Sequence, residues 1–283
     1  MKKLISLICV LAMVLALAAC GSSAPAAATE APAASTEAPA EDVSADKTFV
    51  VGICQLVQHP ALDAATQGFK DALTEALGDK VTFQEQNASG DSATCSLICN
   101  QFVSDEVDLI MANATASIQA AASATNTIPI LGTSITDYGV ALGVDNWTGV
   151  SGTNISGTSD LAPLDGQAAM IQELFPDAKT IGLLYCSGEP NSIFQADSME
   201  ALLTDMGYSV ERYTFADSND VSSVTANACS NADVLYIPTD NTAASCTEAI
   251  NNVALSAGIP IVAGEEGLAS GCGVATLSIS YYD

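Results

Sequence analysis

Positive charge is scarce in this chain of 283 residues, in which Lys and Arg total 7 against 33 Asp and Glu, giving a net charge of -26. Beyond Cys20 the only basic residues are Lys47, Lys70, Lys80, Lys179 and Arg212. Binding a phosphate backbone needs clustered Lys and Arg, so no nucleic-acid partner is expected. The same deficit disfavours a polyanionic ligand and keeps the chain soluble and off anionic headgroups. Histidine is scarcer still, with His59 alone, so any Ser-His-Asp triad would have to be built on it, and no G-x-S-x-G accompanies it. H-E-x-x-H and G-x-x-x-x-G-K-[ST] are missing, and Gly271-Cys272-Gly273 lacks the third glycine of a dinucleotide loop. No enzyme activity, cofactor or metal is expected. Because His59 precedes Pro60, which favours an extended backbone, a loop-positioning or capping role outweighs that of a general base. A membrane-crossing run is absent too: the apolar stretch from Leu4 to Ala16 is about 13 residues, where roughly 20 are needed.

What is present at the N-terminus has the order of a signal peptide over residues 1–19: Met1-Lys2-Lys3, the short apolar run, then Leu17-Ala18-Ala19-Cys20. Leu-Ala-Ala-Cys resembles the bacterial lipobox, which implies cleavage before Cys20 and acylation of its thiol as a lipid anchor. Residues 20–46 then read as a tether, since Ala, Pro, Ser, Thr and Glu without hydrophobic periodicity cannot offset the entropy of ordering. An extracytoplasmic protein held to the membrane through Cys20 is expected. Past the anchor stand Cys54, Cys95, Cys99, Cys186, Cys229, Cys246 and Cys272, an odd number that leaves at least one free thiol. Cys95 and Cys99 have helical spacing, but with no partner His or C-x-x-C nearby they read as buried small hydrophobes rather than metal ligands.

From Lys47 onward, β-rich runs alternate with amphipathic helical stretches, the pattern of parallel sheets with crossover helices. The predicted strands are Thr48–Leu56, Val81–Gln86, Asp108–Ala112, Pro129–Gly132, Thr180–Tyr185, Ser209–Phe215, Val234–Pro238 and Pro260–Gly264. The halves echo each other, because Val107-Asp108 to Thr115 leads through a helix to Ile128-Pro129-Ile130, and Ala232-Asp233 to Asn241 leads through another to Ile259-Pro260-Ile261. The expected fold is α/β, two Rossmann-like lobes with parallel sheets joined by a hinge. Lobe one is assigned to 47–150, a Gly-rich hinge crossing to 151–157, lobe two to 158–271 and a return crossing to 272–283.

Ligands of open parallel sheets bind beyond the carboxyl ends of the strands. Here those loops carry Gln58, His59, Asn113, Thr115, Ser134 and Asp137 in the first half. In the second half they carry Asn191, Ser192, Thr239, Asp240, Asn241 and Glu265. Hydroxyls such as Thr115, Ser134 and Ser192, with helix-start N–H groups, suit a carboxylate, while Asp240 and Glu265 suit an ammonium group, so a zwitterionic amino acid fits. Singly, each of these residues is equally well explained as a helix cap or turn former. Tyr138, Tyr185, Phe194 and Tyr236 lie near loop ends and read equally as aromatic stacking partners or core. Trp147, the one tryptophan, reads as packing the crossing more than lining the cleft.

From Val51 to Asp283 the chain resembles the ABC-transporter substrate-binding proteins described as tryptophan/tyrosine binders, with the type I periplasmic-binding fold. The resemblance is carried by Gln55 to Ala65, Gly152 to Asp160, Pro238 to Thr242 and Ala263 to Glu265. It implies capture of a small molecule, an amino acid of the aromatic or other hydrophobic kind usual in the family, by lobe closure, and delivery by a monomer to an ABC permease with its ATPase. Asn113, Thr115, Ser134, Asp137, Asn191, Ser192, Thr239, Asp240, Asn241 and Glu265 match its cleft-loop positions. The sequence departs from the pattern at Trp147, where a small β-branched residue is usual. It also stops at Tyr282-Asp283, where the pattern continues with a helix and returning strands, so a truncated C-terminus is expected. The rival readings are a ligand-sensing lipoprotein on the same fold and, further off, an exported hydrolase or isomerase using Asp240 and Glu265.

Overall fold

The computed structural model describes residues 47–283. The expected signal peptide, anchor Cys20 and tether, residues 1–46, lie outside the described residues. Two five-stranded sheets, all parallel, organise the rest. The first comprises β1 (Phe49–Gln55), β2 (Val81–Asn87), β3 (Leu109–Asn113), β4 (Ile130–Ile135) and β5 (Ile155–Ser159), in the order β2-β1-β3-β4-β5. The second comprises β6 (Thr180–Cys186), β7 (Ser209–Phe215), β8 (Val234–Ile237), β9 (Ile261–Ala263) and β10 (Ala275–Thr276), in the order β10-β9-β8-β6-β7.

Period-two alternation explains how each sheet fills two faces. Val51, Ile53 and Met111 point toward Phe69 and Leu73 of α1 (Pro60–Leu77). Cys54, Ile110 and Ala112 point the other way, toward α2 (Ser92–Ser104) and α3 (Thr115–Ala124). After the short α4 (Tyr138–Leu142), lobe two repeats the arrangement. Ile181, Leu183 and Tyr236 meet α5 (Leu164–Leu174) and α6 (Pro190–Asp205). Leu184, Phe215 and Leu235 meet α7 (Val221–Asn231) and, past the short α8 (Asn241–Ser245), α9 (Thr247–Ala257) and α10 (Glu266–Cys272). Cys95 and Cys99 lie fully buried in the first core, where Cys54 and Cys95 both approach the Ser117 hydroxyl.

The sequence echo survives at the level of single hydrogen bonds. Ile110 N donates to Pro129 O at 3.0 Å, and Leu235 N donates to Pro260 O at 2.9 Å. Asp108 accepts from Val50 N and Asp233 from Thr180 N, each at 2.9 Å, so both aspartates tie the entry of a central strand to its neighbour.

The crossing expected at 151–157 is displaced. Ile155–Ser159 is the edge strand of the first sheet, so lobe one continues to Ser159 and the chain crosses at residues 160–163 before α5. Glycine misled the reading because it serves close packing here, not flexibility. At Gly157, φ is 151° and a Cβ would stand 2.1 Å from Gly132 O. The return crossing also starts later than 272, since β10 still pairs with β9 and the chain leaves lobe two after Thr276. Gln167 fastens that departure: Nε2 donates to Leu277 O (2.8 Å) and Gly264 O (3.2 Å), while Oε1 accepts from Tyr236 Oη (2.6 Å). Trp147 packs in lobe one, its ring stacked on Tyr138 at 6.1 Å and its Cβ against Gly139.

Candidate functional site

The carboxyl ends of both sheets face one interlobe cavity. His59 reaches it as the N-cap of α1, held extended at φ -161° with Pro60 starting the helix. Ser134 enters with a positive φ of 56°, a conformation costly for a residue with a Cβ, where the β4–β5 register shifts. From lobe two come Asn191, Thr239, Asp240, Asn241 and Glu265. The other five candidates do not line the cavity. Gln58 is exposed, Asp137 caps α4 by accepting from Val140 N at 2.7 Å, and Thr115 is buried at the start of α3. Asn113 donates to Leu62 O (2.9 Å) and Thr66 Oγ1 (3.0 Å), pinning α1 to the sheet, and Ser192 is buried and accepts from Asn191 Nδ2 (3.3 Å). Nor do Tyr138, Tyr185, Phe194 or Tyr236 line it.

Sequence reasoning missed Thr136, Asp160 and Tyr281, which do. Thr136 is the third residue after Thr133 in a loop already singled out, and its hydroxyl was the available signal. Asp160 stands at the true crossing and Tyr281 on the return segment, and Tyr281 Oη donates to Asp160 Oδ2 at 2.8 Å.

The cap alternative is realised at two of the carboxylates. Asp240 caps α8, accepting from Ala243 N (2.7 Å) on Oδ1 and from Cys186 N (2.6 Å) on Oδ2. Glu265 caps α10, accepting from Gly267 N and Leu268 N. With both oxygens so engaged, the pair is not arranged for acid–base work on a substrate. Nearby Glu189 accepts from the backbone and side chains of Asn241 and Thr242. Burial, reinforced by Glu189, pushes the Asp240 carboxyl up to about 8. Burial also raises Asp160 and Glu265, and neither Lys nor Arg lines the cavity to compensate.

Among the described residues, two side-chain hydrogen-bonding pairs join the lobes. Gln195 Nε2 donates to Thr136 Oγ1 at 3.5 Å, and His59 Nε2 lies 3.2 Å from Asn241 Oδ1. Because Asn241 Nδ2 already donates to Glu189 (2.7 Å), Oδ1 is the acceptor and His59 Nε2 carries the proton. His59 Nδ1 is therefore an acceptor, and it has no partner. Burial lowers the His59 pKa, which favours this neutral form. Ser134 Oγ and Asp160 Oδ1 are likewise buried without partners, on residues that line this cavity and also a larger opening beside α1 and β5. The lobes close so far that a water's centre can range over only about 10 Å³, room for about one molecule. Anything larger enters only when the lobes part.

Residues 50–283 match the family described as ABC transporter substrate binding protein. A tyrosine-binding protein of Clostridioides difficile (strain R20291) is 39% identical over 234 residues, covering 82% of this chain and 68% of that protein. The structure of an ABC domain in complex with L-Trp from Streptococcus pneumonia is 31% identical, with a TM-score of 0.80 over 84% of this chain and 81% of that one. A ligand-free, open structure of a substrate-binding protein with adhesive properties from Clostridium difficile is 38% identical but has a TM-score of 0.57, over 80% of this chain and 77% of that one. Higher identity with a lower score is what a different angle between two rigid lobes produces. The chain superposes better on the L-Trp complex than on the ligand-free, open structure.

Proposed function

The chain belongs to the ABC transporter substrate binding protein family, and from that premise we propose that it captures a free amino acid, preferentially an aromatic one, by closing its lobes and presents it to a membrane permease. The observation that carries this reading is the convergence of three buried, unpartnered polar atoms, His59 Nδ1, Ser134 Oγ and Asp160 Oδ1, on one interlobe cavity. Each such atom costs about 1–3 kcal/mol when left unpaired, so the closed cleft is poised for a ligand that supplies both donors and acceptors. Its carboxylates without a counter-cation favour a cationic group on that ligand, and its hydroxyls favour an anionic one without an arginine clamp. Together these describe a zwitterion. The tyrosine and L-Trp named for the two relatives favour an aromatic side chain.

On this reading His59, Ser134, Asn191 and Thr239 touch the ligand, whereas Gln58, Asn113, Thr115, Asp137 and Ser192 support the loops around it. The closed cleft buries the ligand from solvent, and release requires the lobes to part, which is the event a permease would trigger. The protein acts as a monomer outside the cytoplasmic membrane, held by lipid on Cys20, a reading that rests on the Leu17-Ala18-Ala19-Cys20 motif.

Thermal shift against L-tryptophan, L-tyrosine, L-phenylalanine, nucleosides and sugars tests the reading. A ligand at a hundred times its Kd stabilises the folded state by about 2.7 kcal/mol. For a chain of this size that raises Tm by roughly 5–10 °C. A selective shift with the aromatic amino acids is expected. A shift with sugars or nucleosides and none with amino acids would overturn it.

A further inference from the structure

We infer that Asp160 is the anionic anchor for the ligand's α-ammonium group, with Tyr281 as the positioning residue that holds its carboxylate; this rests on the amino-acid reading above. The argument is one of availability. Asp240, Glu265 and Glu189 all surround or adjoin the cavity, but every oxygen of each already accepts from a backbone N–H, at a helix start or, for Asp240 Oδ2, at Cys186 where β6 ends. Asp160 differs. Its amide is fixed to Ile135 O at 3.2 Å and its Oδ2 accepts from Tyr281, while Oδ1 has no hydrogen-bond partner, on a residue that is only 5% exposed and lines both the interlobe cavity and a larger opening beside α1 and β5. A carboxylate oxygen with an open lone pair in a closed, cation-free site is matched by an ammonium group, which brings both charge and donors.

The position gives the contact a second consequence. Asp160 lies on the outgoing crossing and Tyr281 on the return, so the ammonium would be gripped where both connections between the lobes run. The groups facing Asp160 are the Tyr281 phenol, the Thr136 hydroxyl and, farther off, the Tyr138 phenol and Glu265; none is cationic. Burial raises the Asp160 carboxyl, while Tyr281, Thr136 and its own amide partly offset this. Where Asp160 is protonated, binding proceeds as carboxyl plus ammonium giving carboxylate paired with ammonium, and the proton goes to solvent. Affinity then rises with pH until Asp160 is already ionised in the free protein.

Calorimetry on the wild-type protein, Asp160→Asn and Tyr281→Phe tests this, using L-tyrosine and L-tryptophan beside the deamino analogues 3-(4-hydroxyphenyl)propanoate and 3-(indol-3-yl)propanoate. Wild type is expected to prefer each amino acid over its analogue by about 100-fold or more. Asp160→Asn should lose most of the preference for the amino acids over their analogues and lose the pH dependence of affinity. Tyr281→Phe should lose roughly 10-fold and keep the discrimination. Unchanged discrimination in a folded Asp160→Asn, or equal loss for amino acid and analogue, would overturn the assignment and leave the amino-acid reading standing. Failure of wild type to bind any amino acid would sink both.

Discussion

Replacing Gly264 by alanine is expected to lower Tm by roughly 6–12 °C and to weaken ligand capture, a loss of about 3 kcal/mol in stability. Its Cβ would stand 2.6 Å from both the Pro238 carbonyl carbon and Thr239 N, which are backbone atoms and cannot rotate away. Gly264 N also donates to Ile237 O at 2.7 Å, so relieving the clash means separating β9 from the end of β8. Thr239 and Asp240 lie on one side of that contact and Glu265 on the other, which couples the damage to the cavity. Gly258→Ala is the control. Gly258 ends α9 in the left-handed region at φ 71° with open space around it, so alanine there should cost only about 1 kcal/mol and leave binding intact. Equal thermal shifts for the two variants would refute the argument from close approach.

Acidification from about pH 8.5 to about pH 5.5 is expected to stabilise the ligand-free protein, by on the order of 3 kcal/mol from Asp240 alone. The folded-state pKa of Asp240 lies near 8, above its ordinary value of 3.8, because burial and Glu189 both oppose its charge. A carboxyl raised on folding contributes stability that is complete below its unfolded pKa and is lost as pH rises through the folded one. The window is therefore between about 4 and 8, and Asp160 and Glu265 act in the same direction. Relief of the repulsion carried by a net charge of -26 adds to it. His59 opposes the trend below about pH 6.5, since its pKa falls on folding and charging it while buried costs stability. Melting curves across this range should rise on acidification, and more shallowly below about pH 6.5, where one uncharged His59 offsets at most one of the raised carboxyls. Asp240→Asn should flatten the rise while lowering Tm at low pH, because its amide nitrogen must face a backbone N–H that the carboxylate accepted from. A wild-type Tm that falls steadily from pH 8.5 would contradict the raised carboxyls.

By itself the sequence determined the class of fold, the faces of its strands and the loops that carry the site. Period-two and helical spacing are local, and they set which side of β1 meets α1 and which meets α2 before any lobe exists. The Asp–strand–loop–helix–Ile-Pro echo is local too, and it returned as matching hydrogen bonds at Pro129 and Pro260. Polar strand tips were legible for the same reason, and seven of the twelve residues drawn from them line the cavity.

Tertiary structure decided what depends on residues far apart. Gly157 reads as a hinge glycine until β5 is seen lying against Gly132, because an approach between strands has no signature along the chain. Asp240 and Glu265 have the composition of both caps and ligands, and only the helix starts beneath them show where their lone pairs go. Asp160 and Tyr281 meet across 121 residues of sequence, brought together where the outgoing and return segments pass each other between the lobes. That meeting is set by packing and by two crossings whose local sequence encodes neither their partner nor their direction, so the availability of one oxygen on Asp160 could be read only from the folded chain.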